Sequence, residues 1–491
     1  MRPYAAFGAR QHGRRGLPAG RNGAGRQGVC TSSGRRALPA AGSIVPTENW
    51  SSVLPSRFPG SARPSSARPS AVRRRARAVA SAAAALAAAG AVVLAAGPAG
   101  AAPAASGPAP DYPGLRQALA DVVSAGSPGA FALVSDRRGA GGTVSTGTGD
   151  LATQAPVDPR GRFRVGSITK NLTAVLTLQL VARHQVDLDA PATGYLPGGV
   201  LPSGSPITVR QLLDHTSGLY DYSNDLPGIL VGDTVTGYQQ FRYRTYAPAD
   251  LVAGALTHGS QFTPGSRYDY SNTNFVVLGT LVEHVTGEPF AKVLTDRILR
   301  PAGMTATGFV VPRTDIAGPH AVGYLTEDDR SKPLSDATEQ TASWIWTAGA
   351  AISTTSDLNR YWRALMSGAL LPAAQLAQME TTQPADTTGT SFYGLGIRRY
   401  TLSCGTQVYG HDGILQGYQT YSYTTKDGSR QLTVSADASN NSAVFAAERT
   451  ALDPVFCGAP ASPSAGRSSA TAAAHVAQEE TTGRAPAPLR G

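Results

Sequence analysis

The chain has 491 residues, with 43 basic and 33 acidic side chains, a formal net charge of +10, three cysteines and eight histidines. Fifteen arginines and a single acid, Glu48, fall in residues 1–101, so the remainder carries 28 basic against 32 acidic groups, a net of −4. The basic character therefore belongs to the leader, which argues against a nucleic-acid partner, and the scattered histidines without metal-type cysteine spacing imply no metal or other cofactor.

Residues 1–70, rich in Gly, Arg, Ser and Pro, show neither strand nor helix periodicity and read as disordered. A basic segment at 73–77, an apolar run at 78–96, Gly97-Pro98 and the A-x-A site Ala99-Gly100-Ala101 then have the form of a signal peptide. This predicts a secreted protein cleaved near Ala101. The other reading of the run is a membrane anchor, which its alanine content and the small-residue site behind it disfavour. Removal of Cys30 with the leader leaves Cys404 and Cys457; one pair in an exported chain suggests a disulfide, the alternative being two buried thiols.

Residues 102–460 are the expected folded domain. Segments 129–138 and 142–151 read as a β-hairpin. Segment 166–185 reads as a helix, with Leu172, Val175, Leu176, Leu180 and Val181 at helical spacing. The stretch 186–345 is turn-rich and mainly helical, including 208–218 and 274–287, and 353–368 is a further helix. After Gly394 the texture turns to strands, "FYGLGIRRYTL", "QVYGHDGI", "GYQTYSYTT" and "RQLTVSADA", with Asp427-Gly428 as the last hairpin turn and a closing helix over 442–456. The expectation is an α/β (α+β) fold: one antiparallel sheet from both ends of the domain, flanked by helices, with a mainly helical lobe inserted. Residues 461–491, rich in Ala, Ser and Pro, read as a disordered tail.

Three segments carry chemistry. "GSITK" places Ser167 three residues before Lys170, one of only four lysines in the chain. Positions i and i+3 share a helix face, and a lysine buried among apolar neighbours can act as a base when neutral. "YDYSNTNF" supplies Tyr270-Ser271-Asn272, and "VYGHDGIL" supplies His411-Asp412-Gly413 on a strand. A Ser-His-Asp triad is not indicated, since residues 165–169 read V-G-S-I-T rather than G-x-S-x-G. His215 reads as a structural helix-end residue.

With these motifs in this order, the sequence resembles the serine penicillin-recognising enzymes: β-lactamases, penicillin-binding proteins and DD-peptidases. Across 111–458 it is most similar to secreted actinomycete-type D-alanyl-D-alanine carboxypeptidases, through "FRVGSITK", "LLDHTSGLYDYSND", "YSNTNFVV", "EQTASW", "YGLGIRR", "LSCG" and "VYGH". The resemblance implies that Ser167 is the nucleophile of an acyl-enzyme, with Lys170 and Tyr270 sharing the proton transfers. It makes Asn272 the holder of the acyl-side amide, and puts His411 where most relatives have a lysine. Backbone N–H groups of Ser167 and Ile414, beside Gly413, would form an oxyanion hole. Arg398 would read a terminal carboxylate, Trp344 would line the cleft, and Cys404 and Cys457 match the family's disulfide. Implied partners are peptidoglycan stem peptides or other D-amino-acid peptides, and β-lactam inhibitors. A monomer with no stable membrane anchor is expected.

One position departs from the family. The carboxypeptidase pattern is H-T-G, and the middle residue here is Asp412. A second anion beside a substrate carboxylate would repel it. Either Asp412 is protonated or turned away, or Arg398 pairs with it and the substrate carries no carboxylate there. The second option favours D-aminopeptidase, D-amidase or esterase activity. A β-lactamase and a silent β-lactam sensor are the other readings of the same motifs.

Overall fold

Both ends of the domain supply strands to one sheet. The computed structural model describes residues 112–226 and 234–458, all within one of the chain's two compact units, Pro98–Gly491. The expected leader, the export signal with its cleavage near Ala101, and the tail 461–491 lie outside the described residues.

The first half contributes β1 (Gly129–Asp136), β2 (Gly141–Asp150) and β3 (Ala155–Pro156). The second half contributes β4 (Gln383–Pro384), β5 (Ser391–Tyr393), β6 (Arg398–Thr401), β7 (Gln407–Leu415), β8 (Tyr418–Thr425) and β9 (Arg430–Ala436). Their order is β3-β2-β1-β9-β8-β7-β6-β5-β4. Antiparallel pairing of β1 with β9 joins the halves, with Ala130 opposite Ala436 and Asp136 opposite Arg430. The helices that matter for the site are α1 (Pro113–Ser124), α2 (Ile168–Ala182), α3 (Val209–Leu213), α4 (Asn272–Thr286), α5 (Thr355–Met366) and α6 (Ser442–Arg449).

Strand alternation sorts side chains to two faces. On β8, Tyr421 and Tyr423 join an apolar cluster with Leu115 and Leu119 of α1 and Phe445 of α6. Ser422 between them points to the opposite face and accepts from Trp362 Nε1 of α5. On that face α2 packs against β7 and is buried almost all round. Leu172, Val175, Leu176 and Leu180 are buried as expected, each contributing about 1.5–3 kcal/mol; Val181 is only half-buried. The polar residues of α2 other than Gln179 are buried too, and several bond the loops that reach the site. Thr173 Oγ1 donates to Thr347 O, Ala351 N donates to Thr169 Oγ1, and Asn171 Nδ2 donates to Gly396 O.

Several expected elements are shorter or divided. The strand expected over 392–402 is split between β5 and β6, because Gly396 at φ +72 turns the chain so closely over Ala174 that no β-carbon fits there. The closing helix is divided at 450–451: Pro454 has no N–H to continue the ladder into α6. The helix expected over 208–218 is only α3, begun by a Thr208–Gln211 capping box and followed by His215 at φ +60. Helix α1, which opens on Pro113, was not anticipated. Cys404 in the β6–β7 turn and Cys457 form a disulfide. Among the described residues no helix is long and apolar enough to cross a membrane.

Candidate active site

Ser167 occupies the N-cap position of α2 but does not cap it. Its backbone is already helical, with φ −60° and ψ −10°, so its hydroxyl is directed elsewhere. Oγ lies 2.9 Å from Lys170 Nζ, one turn along the helix. The hydroxyl also stands at the positive end of the helix dipole, which favours developing negative charge. Ser167 keeps a small opening to solvent, 8%, whereas Lys170 is fully buried.

Lys170 Nζ has two further oxygen partners, Asn272 Oδ1 at 2.8 Å and Ala348 O at 2.9 Å. This arrangement serves both protonation states. A charged ammonium donates to all three oxygens. A neutral amine donates its two hydrogens to Asn272 and Ala348, which leaves its lone pair aimed at the Ser167 hydroxyl. The two carbonyl acceptors thus orient the base. Tyr270, also buried, places its ring 4.7 Å from the same nitrogen.

The segment 214–223, which crosses the mouth of α4, holds Tyr270 and Asn272. His215 is fully buried, its ring 4.3 Å from that of Tyr270. Its Nδ1 accepts from Ser271 N and Asn274 Nδ2, at 3.2 and 3.0 Å. Burial, aided by the charge of Lys170, pushes its pKa well below the ordinary 6.5, so it is a neutral structural support as expected. Asp221 Oδ2 accepts from Asn272 N and Nδ2, both at 3.0 Å, and its Oδ1 accepts from Ser223 N and Oγ at 3.0 and 2.8 Å. Burial raises the Asp221 carboxyl, opposed by the donors of Asn272 and Ser223 and by Lys170. Asn272 Nδ2 also donates to Ser223 Oγ at 3.2 Å, so both its hydrogens are committed to the protein, and only a second lone pair on Oδ1 could meet a substrate N–H.

Two glycines let β7 press against the turn before α2. A β-carbon on Gly413 would lie 2.1 Å from Val165 O and 3.0 Å from Ser167 N. One on Gly166, at φ +52, would lie 2.8 Å from Ile414 N. The close approach sets β7 at Gly413 and Ile414 against the turn that carries Ser167, so the two N–H groups that the resemblance makes an oxyanion hole lie on touching segments.

Arg398, Asp412 and His411, expected at the substrate, are placed differently. Arg398 and Asp412 are fully buried, with Arg398 Nε 2.9 Å from Asp412 Oδ1. Arg398 stands opposite Gly410 in the ladder, two residues from Asp412, so both share the sheet face that α1 and α6 cover. Tyr423 Oη donates to Asp412 Oδ1 at 2.7 Å, and Arg398 Nη1 donates to Ser391 Oγ at 3.1 Å. Neither side chain is presented to a substrate, which corrects the expectation of a carboxylate reader. His411, on the α2 face, is fully buried: Nδ1 donates to Asp412 O, and Nε2 accepts from Tyr393 Oη at 2.9 Å. Burial lowers its pKa from 6.5 to about 3, so it is no cationic substitute for a lysine. Trp344 is 4% exposed, about as buried as Asn272 at 5%, and stands edge-on to Phe241.

Sequence reasoning passed over Asp221, although the quoted "LLDHTSGLYDYSND" contains it. Its signal was a polar cluster beside the Y-S-N turn. Ala348 O, a backbone group, leaves no trace in residue identity.

A family model described as Beta-lactamase matches residues 73–453. A D-stereospecific amidohydrolase from Streptomyces sp. is 36% identical, with a TM-score of 0.63 over 71% of this chain and 100% of that one. A D-aminopeptidase of Cereibacter sphaeroides is 30% identical over 57% of this chain, and penicillin-binding protein 4 of Amycolatopsis lactamdurans is 27% identical over 57%. The chain spans 51% of the former's length and 72% of the latter's.

Proposed function

The chain belongs to the β-lactamase family, and on that footing we propose that it hydrolyses amide bonds of D-amino-acid derivatives whose leaving side bears no carboxylate. The observation that carries this reading is the buried Arg398–Asp412 pair. The group that would have read a C-terminal carboxylate is neutralised inside the protein. The D-alanyl-D-alanine carboxypeptidase reading thereby loses its main substrate contact, and the amidase alternative gains. The similarity to a D-stereospecific amidohydrolase and a D-aminopeptidase supports the same choice. Export through residues 73–101 remains part of the proposal.

In this reading Lys170 takes the Ser167 proton as Oγ attacks the substrate carbonyl. The tetrahedral oxyanion is held by the N–H groups of Ser167 and Ile414. Tyr270 and Lys170 return the proton to the departing nitrogen, so ammonia or an amine leaves and an acyl-serine remains. Water then attacks the ester, giving up its proton to the same base, and releases the acid and Ser167. Release of ammonia from D- and L-phenylalanine amide, with wild type and Ser167→Ala, tests this. Turnover of the D-form by wild type alone is expected; turnover by Ser167→Ala would overturn it.

A further inference from the structure

Asn272 can be turned in two ways. With Oδ1 toward Lys170, the amine has an acceptor, and its remaining lone pair faces Ser167. With Nδ2 toward Lys170, a donor would meet the amine, and the lone pair of the neutral lysine would be drawn to Asn272 instead. The two orientations have nearly the same shape, so packing does not distinguish them. Something must fix the choice by hydrogen bonding.

We infer that Asp221 is the positioning residue that sets this orientation, and through it the direction of the Lys170 lone pair. Four donors converge on its two oxygens: Ser223 N and Oγ on Oδ1, and Asn272 N and Nδ2 on Oδ2. These occupy the four acceptor sites of a carboxylate, so an oxygen of Asn272 turned toward Asp221 would face an acceptor. Asp221 is itself immobilised: it is 4% exposed, and it caps the short 3₁₀ turn Tyr222–Asp225 through Ser223 N. The backbone on either side of Asn272 is fastened to the same segment, since Ser271 Oγ and Thr273 Oγ1 donate to Tyr220 O, at 3.3 and 2.6 Å. Asp221 is joined to Lys170 by hydrogen bonds that run through Asn272, and its charge also acts on the Lys170 ammonium across that amide.

Asp221→Asn is the discriminating change. The shape is conserved, but an amide at 221 must either oppose a donor to Ser223 or oppose one to Asn272. The second choice turns Asn272 over. The inference rests on Ser167–Lys170 acyl transfer, so Ser167→Ala is measured alongside. Activity in that variant would remove the acyl-transfer premise, whereas an inactive Ser167→Ala with a fully active Asp221→Asn would remove only the role of Asp221. For D-phenylalanine amide, kcat of Asp221→Asn is expected to fall about 10²-fold, with KM within about threefold of wild type. A smaller fraction of correctly folded enzyme would give the same split, so a second comparison separates the two. In an Asn272→Ala background, Asp221→Asn is expected to lower kcat no further, because the group through which it acts is gone. Losses that multiply, or a wild-type kcat in Asp221→Asn, would overturn the inference. If Asp221→Asn does not accumulate as folded protein, Asp221→Ser, which leaves room for a bridging water, is read against the same criteria.

Discussion

Arg398 Nε and Asp412 Oδ1 are 2.9 Å apart with both side chains fully buried, so the arginine expected to read a carboxylate belongs here to an internal ion pair. Removing one partner leaves an uncompensated buried charge. Asp412→Ala is expected to lose about 3–5 kcal/mol of unfolding free energy. Replacing both residues, as Arg398→Met with Asp412→Leu, should recover much of that loss. Urea unfolding measures both, and an Asp412→Ala midpoint equal to wild type would show that the pair does not hold the sheet together.

The Ser167–Lys170 contact predicts a division of labour. Ser167→Ala should show no covalent labelling by an activated ester or by benzylpenicillin. Lys170→Ala should still fold but acylate about 10²–10⁴-fold more slowly. Mass spectrometry of the intact protein over time distinguishes the two, and labelling of Lys170→Ala at wild-type speed would exclude the lysine as the base.

Gly413→Ala forces a methyl group to within 2.1 Å of Val165 O, so β7 must withdraw from the turn before α2. Separation of the Ser167 and Ile414 nitrogens should lower kcat by about 10²–10³-fold. Alanine at Gly198, which like Gly413 is not at positive φ and where a β-carbon meets nothing within 4 Å, controls for glycine replacement itself.

The buried histidines fix the sign of one pH effect. His411 binds a proton only near pH 3 when folded, whereas the unfolded chain binds it below the ordinary value of 6.5. Its contribution to stability is therefore complete above 6.5 and is lost as the pH falls toward 3. His215, also depressed by burial, acts in the same direction. Asp214 opposes them: burial raises it from 3.8 to about 6, so the folded state takes up its proton first and gains relative stability as the pH falls through that interval. The imidazole signals of His215 and His411 should not titrate in native protein between about pH 5 and 8. Proton NMR checks this, and a midpoint near 6.5 for either ring would contradict its burial.

The sheet and the central helix were legible because their signals are local. Strand-type runs joined by a glycine-rich turn and by Asp427-Gly428 marked β1, β2, β8 and β9, and the helical spacing of Leu172, Val175, Leu176 and Leu180 marked α2. The Ser167–Lys170 pair was legible because three residues make nearly one turn, and the disulfide because two cysteines remained. Orientation was not legible. Nothing in "HDG" says that Asp412 faces α1 and α6 while His411 faces α2, until the register of β6 on β7 is known. Nor does residue type reveal that Asp221, 51 residues before Asn272 in the chain, holds its amide. Such contacts depend on how distant segments meet.

The most direct test of the proposed substrate class compares kcat/KM for a diacyl-Lys-D-Ala-D-Ala tripeptide with that for the same peptide amidated at its C-terminus. With Arg398 neutralised by Asp412, the amide should be the better substrate. A marked preference for the free acid would mean that a carboxylate is still read in the cleft, and would return the protein to the carboxypeptidases.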